Sequence, residues 1–401
     1  MVCSQVPNLL YGGRIISASH VAFASTRVMA TCGANSNALG MAVALCKKLS
    51  VDPIDLLEKD HMKQLQLDLM RFGQFIPGYK LKDPLDFVSR ASSIEATSEF
   101  QISDSELPPN GPPKVLTRSL AQMLPLPAGP VPKFVITAQA VEETTLTVQL
   151  RVSEKAYNYT PEVVLSEREY SLVPGDNDLA IDLGVSVPQT QYAFLCFMQN
   201  DCVALSTTLT RASALMTVEH ECTQSPPDGI GVDTFERWTP VRRPMGHNLA
   251  LQVVDQPLKA WPVESIRNGV SRPTKRTNCW VPSNGDGRGA RKMLTIRWDR
   301  PVRASKMVVC FDSDFDNALE SVLRGHPERD IPFCVKSWRV LDLSEDGKEA
   351  ELYRETDNHL SRREISIDPS VLVSAIGVEI LELNGDGKYV QGGIFEVRVY
   401  E

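Results

Sequence analysis

The chain has 401 residues, 42% of them hydrophobic and 23% charged, a composition ordinary for a globular protein with room for two or three domains. Its formal net charge of −8 sets it against general nucleic-acid binding, which needs a basic face for phosphates. Nine cysteines form an odd, scattered set with no C-x-x-C pair and no zinc-type C/H spacing, so reduced thiols and a cytoplasmic setting are expected.

The first informative stretch is Gly12 to Gly40. Gly12, Gly13 and Arg14 open what reads as a short apolar strand at Ile15 and Ile16, and small residues follow. The nearly uncharged run from Val28 to Cys46 then predicts a buried helix. At about 19 residues, with Asn35, Ser36 and Asn37 at its centre, this run is too short and too polar for a membrane span. No membrane association is expected. A helix N-terminus rich in small residues near Asn35 to Ala38 would offer free N–H groups and partial positive charge to an electron-rich planar ligand. That is the design of a cofactor cradle.

Asp52-Pro53 has the form of an N-cap followed by a first helical residue. Asp60 opens another helix closed by Gly73, with Met62, Leu65, Leu69 and Phe72 at helical spacing, so one face should pack on the first helix.

These quoted residues carry a resemblance. GRIISASHVAFASTRVMATC, then ALGMAVALCKK and LQLDLMRFGQFIPG, resembles the last flavin-contacting segment of a family of FAD-dependent oxidoreductases over about residues 8 to 78. The resemblance implies FAD as cofactor, with Gly13, Arg14, Ser17, Arg27, Thr31, Asn35, Ser36, Asn37 and Ala38 on the cofactor-binding side. The chain departs from the family where Ser36 and Asn37 precede Ala38 and Gly40, a place that usually holds glycine. His20 follows the strand that would end near the flavin and is the candidate catalytic residue, a proton relay or hydrogen-bond donor. The plainer alternative is a histidine bonded to backbone in a turn. Arg14 and Arg27 either neutralise an anion or form ordinary surface pairs. No strand–GxGxxG–helix unit occurs anywhere in the sequence, and Gly285 to Gly289 and Gly385 to Gly387 follow asparagine as hairpin turns do. A separate FAD-binding chain is therefore the expected partner, and catalysis is not expected without it.

From Lys80 to Pro132 the texture is that of a linker, with PPNGPP at 108–113 and PLPAGP at 125–130. From Phe134 the hydrophobic period becomes two, as in Thr145 to Val152 and Leu179 to Leu183, which predicts antiparallel strands. Trp238 to Pro244 reads as a proline-rich join to a second β unit. In that unit Ile266-Arg267-Asn268-Gly269, Arg272-Pro273, Cys279-Trp280, the LTIRW strand and the closing IFEVRVY resemble discoidin-like (galactose-binding-like, coagulation-factor 5/8 type C) jelly rolls. Such modules often hold glycans in loops at one end.

Asp312, Asp314 and Asp316 alternate as Ca²⁺ ligands can, but Asn317 and Leu323 stand where an EF-hand needs glycine and glutamate, so no metal is expected. The run from Arg267 to Lys306 is locally basic and either receives an acidic glycan, docks acidic protein, or is a solvated face. No G-x-S-x-G elbow, H-E-x-x-H pair or phosphate loop is present.

The expected architecture is mainly β with a small α-helical N-terminal segment. Residues 1–78 are a helical remnant of a flavoprotein FAD-binding domain, 79–132 a proline-rich linker leading into a sandwich, 133–250 a β-sandwich, and 251–401 a discoidin-like β-sandwich. The leading function is the C-terminal part of an FAD-dependent oxidoreductase. The rival is a non-catalytic carbohydrate- or protein-binding β-sandwich protein. The N-terminal segment, short of apolar cover, should be loosely ordered or self-associating.

Overall fold

The computed structural model describes residues 1–3, 5–224, 235–241, 246–283, 291–312, 331–345 and 347–401. Contacts divide the chain into two compact units, Met1–Leu85 and Asp86–Glu401.

In the first unit the expected strand at Ile15 and Ile16 is instead a 3-10 turn, Gly13–Ile15, because Gly13 takes a left-handed φ of 63°. Three helices follow: α1 (His20–Thr26), α2 (Met29–Leu49) and α3 (Lys59–Arg71). Ser19 caps α1, its Oγ accepting the Ala22 N–H at 3.3 Å. Before α3, Asp52 and Asp55 form a capping box around the turn Pro53–Leu57. Gly73, at φ 92°, lets the chain leave α3. Leu65 and Leu69 of α3 meet Ala42, Leu45 and Cys46 of α2, with Leu56 completing the cluster, as the helical spacing foretold.

The expectation that α2 would be buried all round is overturned. Only Ala42, Leu45 and Cys46 of α2 are buried, whereas Met29 is 88% and Val43 53% exposed. Two short neighbouring helices cover one stripe of a helix and no more. The segment after α3 is held by Arg71, whose guanidinium binds both oxygens of Asp83 at 2.5 and 2.7 Å.

The second unit is almost wholly antiparallel sheet. The first sandwich sets a six-stranded sheet, ordered Phe235–Pro240, Met216–Gln224, Leu120–Leu126, Gln191–Phe197, Thr144–Val152 and Val163–Leu172, against a second sheet centred on Phe134–Ala140. Leu120–Leu126 lies inside the stretch that reads as linker, yet it is a buried central strand. Its proline is tolerated because the Met216–Gln224 ladder ends at Met123, leaving Pro125 with a neighbour on one side only. Likewise Trp238 to Pro240, read as a join, belongs to an edge strand.

The second sandwich has a five-stranded sheet facing a three-stranded one, Arg362–Ser366, Lys306–Phe311 and Ile394–Tyr400. This is an antiparallel β-sandwich, as the alternating runs of this region led one to expect. Its five-stranded sheet takes its edge strand, Ser93–Ala96, from far upstream, paired with Leu294 to Arg297. Asp86 fastens the same segment to the last strand, its Oδ1 accepting the N–H groups of Val88 and Val399, both at 2.9 Å. Trp298 and Trp280 donate to the carbonyls of Phe87 and Ser98 at 2.8 and 2.9 Å. Residues 86–100 thus belong with 260–401, and the first sandwich is inserted between them.

Trp280, Trp338, Phe311 and Phe333 fill the second core. Gly392 and Gly393 are required there, since a Cβ would come within 2.1 and 2.3 Å of the Phe333 and Trp280 carbonyl oxygens. The two sandwiches share apolar contacts: Trp261, Cys279, Val308, Cys310 and Phe395 join the core of the first. Trp261 also donates to the Ser213 carbonyl at 2.8 Å.

Candidate functional site

The residues expected to face a flavin lie in the first unit. The structure brings Gly12, Gly13 and Ser36 together: Cβ atoms added at Gly12 and Gly13 would stand 3.4 and 3.8 Å from Ser36 Oγ. A Cβ at Gly12 would also meet Leu39 Cδ1 at 2.8 Å, so the space beside this glycine is already filled. Asn35, Ser36, Asn37 and Ala38 are not at a helix N-terminus. They sit in the middle of α2, where backbone N–H groups are spent on the helix's own carbonyls. The N-terminus proper is Met29 to Thr31, and Val28 offers no side-chain cap.

His20 is the first residue of α1 and exposed, as are Arg14 and Ser17 before it. Arg27, at the other end of α1, lies over the Phe23 ring at 5.8 Å. Thr31 is half-buried in the first turn of α2. These residues line one stretch of chain, and within this unit alone they do not enclose a planar ring: the mid-helix N–H donors are used and the space beside Gly12 is packed.

The second unit contains a cleft that sequence reading did not find. With a volume of 360 Å³, it is bounded by Pro125, Pro127 and Thr190 of the first sandwich and by residues between Lys259 and Thr277 of the second. The loop from Asn268 to Asn278 is held by its own amides. Asn268 donates to Asn278 Oδ1 at 3.0 Å and accepts from the Val270 N–H at 2.9 Å. Asn278, at a left-handed φ of 56°, donates to Thr274 Oγ1 at 2.8 Å and to the Arg272 carbonyl at 3.0 Å. Tyr159 of the first sandwich pins the loop by donating to the Thr274 carbonyl at 2.8 Å, and burial pushes its hydroxyl up to about 12. The one available signal was the Asn-Gly pair at 268–269, whose turn chemistry marks a constrained loop.

The basic run is not one face. Arg291 is spent on Glu379 and Glu349, Lys306 on Glu364, and Arg267 on Glu264, whereas Lys275 and Arg276 line the cleft with Lys259. Burial works against Glu379 ionising, but the guanidiniums of Arg291 and Arg339 hold its carboxyl below the usual range.

Asp312 is buried, while Asp314 and Asp316 lie outside the described residues. Among the described residues no group of three or more His, Cys, Asp or Glu side chains is placed to hold a metal ion. All nine cysteines are free thiols, and burial raises Cys196, Cys310 and Cys334 to about 12. They pack as small hydrophobes, as their strand contexts suggested. Among the described residues no single helix is long and apolar enough to cross a membrane.

Residues 1–69 match the family model of FAD dependent oxidoreductases. No curated protein matches the chain. Among solved structures, the family 32 carbohydrate-binding module of Streptococcus pneumoniae EndoD is 15% identical, with 35% of this chain and 86% of that chain covered at a TM-score of 0.28. The family 32 module of C. perfringens NanJ, solved in complex with galactose, is 14% identical over 35% of this chain and 86% of that chain, TM-score 0.26. A GH31 CBM32-2 bound to GalNAc is 9% identical over 35% of this chain and 89% of that chain, TM-score 0.27.

Proposed function

We propose that this chain is the C-terminal part of an FAD-dependent oxidoreductase, with no particular substrate specified. The observation that carries the reading is that the stretch matching that family, residues 1–69, also leaves its apolar side chains uncovered: Ile15 is 71%, Val21 85% and Met29 88% exposed. A helical layer with one face dressed and the other bare suits a piece of a larger domain. The dinucleotide-binding fold would come from outside these 401 residues, either as a separate FAD-binding chain or joined in frame. His20, Gly13, Arg14, Ser17, Arg27, Thr31 and Asn35 to Ala38 would then face the flavin side once that fold covers them. The free, high-pKa cysteines support a reducing, cytoplasmic setting.

The test is spectroscopic. Purified by itself, the chain should be colourless; co-expressed with a GxGxxG-bearing polypeptide encoded upstream or beside it, it should give a yellow complex with one FAD per chain. Absence of any such coding sequence, or a colourless co-expressed complex, overturns the reading.

A second reading, a non-catalytic carbohydrate- or protein-binding β-sandwich protein, is favoured by the cleft between the sandwiches. It predicts glycan or protein capture by the chain alone, with no requirement for flavin.

A further inference from the structure

Lys259, Lys275 and Arg276 line one cleft and form no ion pair among the described residues. The carboxylate on the same wall, Glu264, is already neutralised by Arg267 at 2.7 Å. Three uncompensated cations thus converge on one concave surface of a chain whose net charge is −8. Like charges gathered in this way repel one another and are relieved by a bound anion. Pro125 and Pro127, on the side contributed by the first sandwich, are apolar and rigid. The loop that presents Lys275 and Arg276 is fixed beforehand by the paired amides of Asn268 and Asn278 and by Tyr159, so little ordering remains to be done on binding.

We infer that this cleft is a binding site for a small organic anion bearing carboxylate or sulfate-ester charge, with its carbon skeleton against the prolines and its charge toward Lys259, Lys275 and Arg276. A volume of 360 Å³ is at the lower end of ordinary ligand pockets and fits a molecule of one or two rings. Carboxylates and sulfate esters share the required chemistry. The inference does not depend on the flavin reading, since every residue it uses lies in the second unit.

Calorimetric titration of the full chain decides it, using citrate, galactose 6-sulfate, inorganic sulfate and galactose as probes. Citrate or galactose 6-sulfate should bind one per chain, at least tenfold more tightly than inorganic sulfate and with affinity falling as salt is raised; which of the two binds identifies the charged group. Galactose should not compete. Lys275→Ala with Arg276→Ala should weaken binding at least tenfold, and Lys259→Ala, a change at an exposed position, should weaken it severalfold with an unchanged thermal transition. Lys348→Ala, whose ammonium is paired with Glu345 away from the cleft lining, should change nothing. No binding by either organic anion, equal binding of inorganic sulfate, or affinity unmoved by both cleft variants overturns the inference.

Discussion

The helical unit and the β unit hold similar kinds of apolar residue and treat them differently. In Met1–Leu85 six apolar residues are buried among those described, and Val21 and Met29 stand in solvent. In Asp86–Glu401 Trp261, Trp280 and Trp338 are sealed completely, and the strand Leu120–Leu126 is buried at every position. The difference is one of partner surface. A sheet facing another sheet covers one whole side of each, and here the outer side of the six-stranded sheet finds further cover in the cluster around Phe194 and Tyr192. Three helices cover only one stripe each.

The sharpest way to break the comparison is to separate the two units. Trypsin should cut first at Lys80 or Lys82, both outside the strands, and leave a fragment reaching Glu401 whose thermal transition equals that of the parent. Early cuts at Lys114 or Lys133 instead would mean that the β unit does not extend back to Asp86.

Next in size are core truncations. Trp338→Ala removes a fully buried ring packed edge-on to Phe311 at 5.4 Å and should cost about 3–5 kcal/mol in urea unfolding. All five tryptophans lie in the β unit, so their fluorescence reports that unit alone. Leu65→Ala, expected to cost about 2–4 kcal/mol within the helical unit, should leave the fluorescence transition in place while shifting the helical circular dichroism. A common shift in both signals would show one cooperative structure.

Asp86 gives a smaller effect with a defined pH dependence. Burial pushes its carboxyl up to about 6, outweighing the two N–H donors from Val399 and Val88. Because this pKa is raised above the unfolded value of about 3.9, its contribution is complete at low pH and is lost as pH rises through about 6. Asp86→Asn keeps an acceptor for both N–H groups without the charge, so it should be at least as stable as the parent at neutral pH and flatten stability between about pH 4 and pH 6. Asp86→Ala strands both donors and should cost about 1–3 kcal/mol. Equal stability of the Asn and Ala variants would refute this account. Glu379 runs the other way: its depressed pKa makes a contribution present above about pH 4 and lost as pH falls.

The smallest effect probes the bare helical face. Met29→Lys should change stability by less than about 0.5 kcal/mol while reducing any self-association seen by light scattering. A large loss would reveal that Met29 has a packed environment.

Some of this was legible from residues alone. The period-two runs from Phe134 onward, the Asp52-Pro53 start, the Leu65/Leu69 stripe and the Gly73 stop are local signals, set by backbone sterics and hydrogen-bond caps within a few residues, and each element formed where its signal stood. The run of antiparallel strands in the last 140 or so residues was readable because alternating stretches follow one another in the chain. What the sequence could not decide was which distant surface each apolar residue would meet. Pro125 reads as linker chemistry until the neighbouring ladder is seen to stop at Met123. Residues 93–96 show no sign of joining a strand some 200 positions later, since cross-strand pairing leaves no mark on one strand alone. The same limit applies to the cleft. Lys259, Lys275 and Arg276 are three basic residues among 42, and only the seating of one sandwich on the other places them around a common space. Burial and electrostatic convergence depend on distances across the fold, and those are fixed by packing.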